Sequence, residues 1–126
     1  MKRWSVVLGL AVLMLAVVGQ VAAAKKDYKG QVSHTFVNGT GQDVAGLQVQ
    51  MSTSAMVVTG DDGRAGPFGN IKGNDSPSIL LSNPSAPVAN GDKVELQFRS
   101  YSNKLSVAKW WWVDAKGKRV GQKQKG

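Results

Sequence analysis

The sequence predicts an all-β protein: a small two-sheet β-sandwich of immunoglobulin-like architecture, with a small β-barrel as the alternative. Three observations carry this expectation. Short runs of alternating apolar and polar residues recur along the chain. Clusters of Gly, Asn, Asp, Ser and Pro separate those runs at close intervals. Past residue 24, no stretch has the spacing of an amphipathic helix.

Gln31 to Val37 alternates, with Val32, His34 and Phe36 against Ser33, Thr35 and Val37. The cluster from Asn38 to Asp43 interrupts it, and its Gly and Asn residues tolerate positive φ, so a turn forms easily there. Leu47, Val49 and Met51 then share one face, with Gln48, Gln50 and Ser52 on the other. That is a strand with one dry and one wet face, expected to form a hairpin with Gln31–Val37. Ala55 to Thr59 reads as a short third strand. Gly60 to Pro77 reads as a loop because its Gly, Asp, Asn and Pro content disfavours regular structure. Ser78 to Ser82 is a brief strand around Ile79, Leu80 and Leu81, and Asn83 to Asp92 is turn-rich again. In Lys93 to Tyr101, Val94, Leu96 and Phe98 point inward. Leu105 to Val113 is the last long strand, and Ala115-Lys116-Gly117 turns it into an edge segment near Lys118–Gln122.

Residues 1–24 form a separate unit. A basic head (Lys2, Arg3), an apolar run from Val6 to Val18 and Ala22-Ala23-Ala24 match the pattern of a cleavable signal peptide. Val6 to Ala24 is also close to the roughly 20 residues that span a bilayer, so an uncleaved anchor is the alternative. The expected organisation is a signal peptide at 1–24, a basic segment at 25–30, the sandwich at 31–115 and a basic edge strand or tail at 116–126. The expected location is secreted or periplasmic. Removing 24 of the 126 residues leaves 102, enough for one modest core. There is no cysteine, so packing and backbone hydrogen bonds alone hold the domain, and thiol chemistry and Cys-based metal sites are excluded.

The net charge of +8 sits at the ends. Residues 30–115 carry six basic and seven acidic side chains, whereas Lys116, Lys118, Arg119, Lys123 and Lys125 have no acid among them. These five are the candidate polyanion-binding residues, because an excess of one sign attracts anionic surfaces at long range. No aromatic residue interleaves with them, which argues against single-stranded nucleic acid.

Trp110, Trp111 and Trp112 are the candidate ligand-binding residues. In a strand, Trp110 and Trp112 share one face and Trp111 the other, with Val107, Lys109 and Val113. A two-layer fold covers only one face of each sheet, so at least one indole is expected at the surface, where it can stack on a sugar ring or sit at a membrane interface. Leu105 and Val107 lie on the side of Trp111, which leaves the inward face open.

The remaining features point away from catalysis. His34 is the single histidine, placed in a strand as a packed residue without a nucleophile or orienting acid in view. Asp61, Asp62, Asn70, Asn74 and Asp75 form an oxygen-rich stretch whose spacing does not match a calcium loop. Asn38-Gly39-Thr40 and Asn74-Asp75-Ser76 fit the glycosylation triplet but read as turn chemistry. The expectation is a non-enzymatic exported protein without a cofactor. Its expected partners are anionic or glycan components of the cell envelope, a lipid surface or another exported protein. A structural subunit that offers a strand edge or tryptophan face to another protein is the alternative.

Overall fold

The structure, a computed structural model, describes residues 27–126. These form seven strands and no helix: β1 (Gly30–Val37), β2 (Gly46–Val57), β3 (Phe68–Lys72), β4 (Ser76–Pro84), β5 (Lys93–Ser100), β6 (Val107–Val113) and β7 (Arg119–Lys125). All pairings are antiparallel. The signal peptide expected at 1–24, with Lys25 and Lys26, lies outside the described residues.

β2 organises the sheet. Its first half lies between β4 and β6, so Leu47 is opposite both Leu81 and Trp112, and Val49 opposite both Ile79 and Trp110. The register shifts past Gln50, and Met56 and Val57 then pair with Arg99 and Phe98 of β5. β5 carries β1 on its other side in one register, from Gly30↔Ser100 to Val37↔Lys93. The order is β1-β5-β2-β4-β3, with β6 and β7 branching from β2. β1, β3 and β7 have one neighbour each and the sheet is not closed into a barrel, which removes that alternative.

Three sequence expectations change. Gln31–Val37 and Leu47–Met51 do not form a hairpin: β1 pairs with β5 instead. The Asn38–Asp43 turn is tied to the β4–β5 connection. The Asn38 Nδ2 donates to Val88 O (2.9 Å), and Gly41 N donates to the Asn90 side chain (2.9 Å). Ala55–Thr59 is not a separate strand: Ala55 to Val57 are the end of β2, which stops at Val57. Gly60–Pro77 is not one loop. It contains β3, whose Ile71 pairs with Leu81, and the start of β4. Of the edge strand or tail expected at 116–126, the structure has the edge strand: β7 runs from Arg119 to Lys125, pairs with β6 alone, and places Val120 in the core at 9% exposure.

The core is built mainly by β1, β2, β4, β5 and β6, with Phe68 from β3 and Val120 from β7. Phe36 of β1 meets Trp110 of β6 edge to face at 5.1 Å between centroids, although these strands do not pair. Phe36 also meets Phe98 at 6.3 Å, and Trp110 meets Trp112 at 5.9 Å. Each such aromatic contact contributes about 0.5–1.5 kcal/mol beyond burial itself. Gly46 is required where β2 passes between β4 and β6. A Cβ there would lie 2.7 Å from Val113 Cγ2 and 2.8 Å from Leu81 O.

Candidate binding face

The direction of each indole is set by a bulge. Gln50 faces Lys109, but Met51 faces Val107, so Ala108 is skipped. A bulge of this kind reverses the face on which later residues lie. Val107, Trp110 and Trp112 therefore all point inward, and Trp111 points outward. Trp110 and Trp112 are 8% and 3% exposed, respectively, while Trp111 is half-buried. The Trp112 Nε1 donates to Val37 O (3.1 Å). The Trp110 Nε1 is buried with no acceptor.

Cross-strand partners share a face, so the register identifies what surrounds Trp111. Lys72 is opposite Leu80, Leu80 opposite Gln48, and Gln48 opposite Trp111. Lys123 completes the row, its Nζ 4.7 Å from the centroid of the Trp111 ring. At about 4.8 Å between strands, these five residues span roughly 19 Å. The next row holds Ser78, Gln50, Lys109 and Lys125. At the other end, Val113 is opposite Gly46 and Arg119. The outward positions of the five strands thus carry five cations (Lys72, Lys109, Arg119, Lys123 and Lys125) and no carboxylate, while Asp114, just past β6, lines a depression of about 640 Å³ at the end of this face with Leu80, Ser82, Val113 and Lys116. Beside Leu80, a depression of about 330 Å³ is lined by Gln48, Lys72, Gly73 and Ser78.

The face divides the residues that the sequence singles out. Lys123 and Lys125 lie on it beside Trp111, and Arg119 lies at its end. Lys116 and Lys118 are in the turn before β7, where both backbone amides donate to the Asp114 carboxylate at 2.9 Å. Lys72 and Lys109 join the face although the sequence does not single them out. Their place follows from pairing across strands far apart in the chain.

Three other features have different surroundings. Trp110 and Trp112 line a groove of about 530 Å³ with Val37, Thr40, Gly121 and Gln124, between the unpaired edges of β1 and β7. His34 is half-buried, 4.5 Å from the Phe36 ring and 6.2 Å from Trp110, and burial holds its pKa below the ordinary value. Tyr28 and Tyr101 are exposed and stacked at 4.8 Å, with Arg99 5.6 Å from the Tyr28 centroid. They are 73 positions apart, so no local pattern announces the pair.

A hollow of about 800 Å³ lies elsewhere, among Pro67, Pro87, Val88, Asp92, Lys93 and Glu95. It mixes both charges and holds no aromatic side chain, so its chemistry is less directed than that of the Trp111 face. The oxygen-rich stretch is dispersed by local bonds. Asp62 Oδ1 accepts from Arg64 N (3.0 Å), and Asn74 Oδ1 accepts from Val57 N (2.9 Å). Among the described residues, no three His, Asp or Glu side chains gather as metal ligands. Compared with protein-family models, curated proteins and solved structures, the chain matches none.

Proposed function

We propose that this chain is an exported, non-enzymatic binding protein that holds anionic or glycan polymers of the cell envelope on the outward face of β3-β4-β2-β6-β7. One observation carries the reading: five cations and a half-exposed indole share a sheet face whose strand positions hold no carboxylate, with Asp114 at its rim. Such a face attracts polyanions at long range and offers a flat apolar plate at short range. The signal pattern at 1–24 supports export. The contact of Phe36 with Trp110 between unpaired strands supports a two-layer sandwich, in which this face is the outside of one layer.

Co-sedimentation with purified envelope polymers across a salt series tests the reading. Binding should weaken steeply with salt, since exposed charges are screened beyond about 10 Å at 0.1 M. Reversing Lys109 and Lys125 to Glu should abolish it, while reversing Lys93 and Lys104, which lie off this face, should not. Equal losses from both pairs would reduce the effect to net charge and refute the reading. Deleting 116–126 is unsuitable because it removes β7 and its core residue Val120.

The alternative, an interaction subunit, draws on the groove between the β1 and β7 edges. Unpaired strand edges accept an added strand, and Trp110, whose buried Nε1 has no partner, is one of the groove's lining residues. Protection of β1 amides when a partner binds would favour this reading.

A further inference from the structure

We infer that Lys123 sets specificity on this face, selecting acidic glycans over neutral ones; the inference rests on the proposed function and names the ligand class. The Lys123 ammonium lies 4.7 Å from the Trp111 centroid, over the ring plane on which a sugar would stack. A sugar ring and the ammonium cannot occupy that plate together. Any glycan that stacks on the ring face under Lys123 must therefore displace the ammonium and forfeit a cation–π contact. At an exposed site, that contact is equivalent to a factor of about 2–5 in affinity.

A neutral glycan offers the displaced ammonium nothing in return. An acidic glycan offers a carboxylate or sulfate next to the stacked ring, within reach of a flexible four-carbon stem. An ion pair at the surface restores a factor of similar size. Lys109 and Lys125, paired directly across β6 and β7, extend the positive strip alongside. Lys72 lies at the far end of the Trp111 row, roughly 14 Å away at three strand spacings, which suits a chain crossing the strands with acid groups every few sugars. Lys123 acts in the free protein as a cover on the indole and in the complex as a partner for the ligand's charge.

The test uses two forms of one backbone: polygalacturonate, and the same polymer with its carboxylates methyl-esterified. Binding to the full chain is measured by tryptophan fluorescence and by calorimetry, with polyglutamate as an acidic polymer lacking sugars. The wild type should bind polygalacturonate more tightly than the ester. Lys123→Gln should weaken polygalacturonate binding about 2- to 5-fold and strengthen ester binding about 2- to 5-fold, so that discrimination falls roughly 10-fold. Equal weakening of both ligands, or no change in either, would overturn the role of Lys123. Trp111→Ala separates this from the broader reading. If it leaves polygalacturonate binding intact, the face itself is not the site. If it abolishes binding while Lys123→Gln leaves discrimination unchanged, only the specificity role fails. Polyglutamate bound as tightly as polygalacturonate would exclude sugar recognition. Both side chains lie on the outer surface, and an unchanged near-ultraviolet circular dichroism spectrum verifies the fold of each variant.

Discussion

Replacing Asn38 should unfold this protein more readily than any other single polar change at its surface turns. Asn38 is fully buried although it sits in a turn. Its Nδ2 donates to Gln42 O (2.8 Å) and Val88 O (2.9 Å), while its Oδ1 accepts from Thr40 N (3.1 Å) and Thr40 Oγ1 (2.7 Å). Four bonds thus join the end of β1 to Thr40 and Gln42 of the β1–β2 connection and to Val88 of the β4–β5 connection. Asn38→Ala removes all four. Val88 O keeps the Val44 amide, and the single Thr40 hydroxyl proton, released from Asn38 Oδ1, can turn to Gln42 O, so neither carbonyl is left bare. With about 0.5–1.5 kcal/mol for each bond, and water replacing part of the Thr40 pair, the loss is about 2–3 kcal/mol. For a domain near 100 residues, this lowers Tm by roughly 10–20 °C. Asn38→Asp retains the shape but turns a carboxylate oxygen toward two carbonyls. It should cost at least as much at pH 7, with partial recovery in acid as the carboxyl group gains a proton and can donate once. Urea unfolding followed by tryptophan fluorescence gives both values. An alanine variant within 0.5 kcal/mol of wild type, or an aspartate variant as stable as wild type at pH 7, would refute the network's role.

Two further changes probe the core. Trp112→Phe loses the bond to Val37 O, whereas Trp110→Phe deletes a buried N–H that has no acceptor. With similar apolar area removed, the Trp110 change should be the milder by about 1–2 kcal/mol in urea unfolding; the opposite order would mean that the Trp110 N–H has a partner. Burial lowers the His34 pKa, so the folded state favours the neutral ring. The unfolded chain then binds more protons as pH falls through about 6.5, and the His34 contribution present above that pH is lost below it. Unfolding free energies at pH 7.5 and 5.5 should differ more in wild type than in His34→Gln, and an unchanged difference would exclude His34 as the cause.

Much of the fold is written in local patterns. Val94, Leu96 and Phe98 of β5 alternate without interruption and are buried as expected. β2 is recognisable because Leu47, Val49 and Met51 face neighbours on both sides of the strand. What local pattern conceals is long-range pairing. Composition places a turn at Asn38–Asp43 but not the partner of the strand before it, and that choice is made by Asn38 and Asn90 across some 50 residues. β3 is hidden because Gly69, Asn70 and Lys72 are poor strand formers, held by pairing with β4. The inward face of β6 is ambiguous because strict alternation groups Val107 with Trp111, and the bulge at Ala108 breaks the alternation. The same limit applies to the candidate face. Trp111, Lys123 and Lys125 stand out by type and clustering, whereas Lys72 and Lys109 are ordinary lysines until the register brings them alongside.

The account stands most directly on where an acidic glycan touches the folded chain. Backbone amide shifts recorded while polygalacturonate is added should move first at Gln48, Lys109, Trp111 and Lys123, with the Trp111 indole N–H signal among the largest changes. Shifts confined to Lys116 and Lys118, or to the Val37–Thr40 wall of the β1–β7 groove, with Trp111 unmoved, would contradict it.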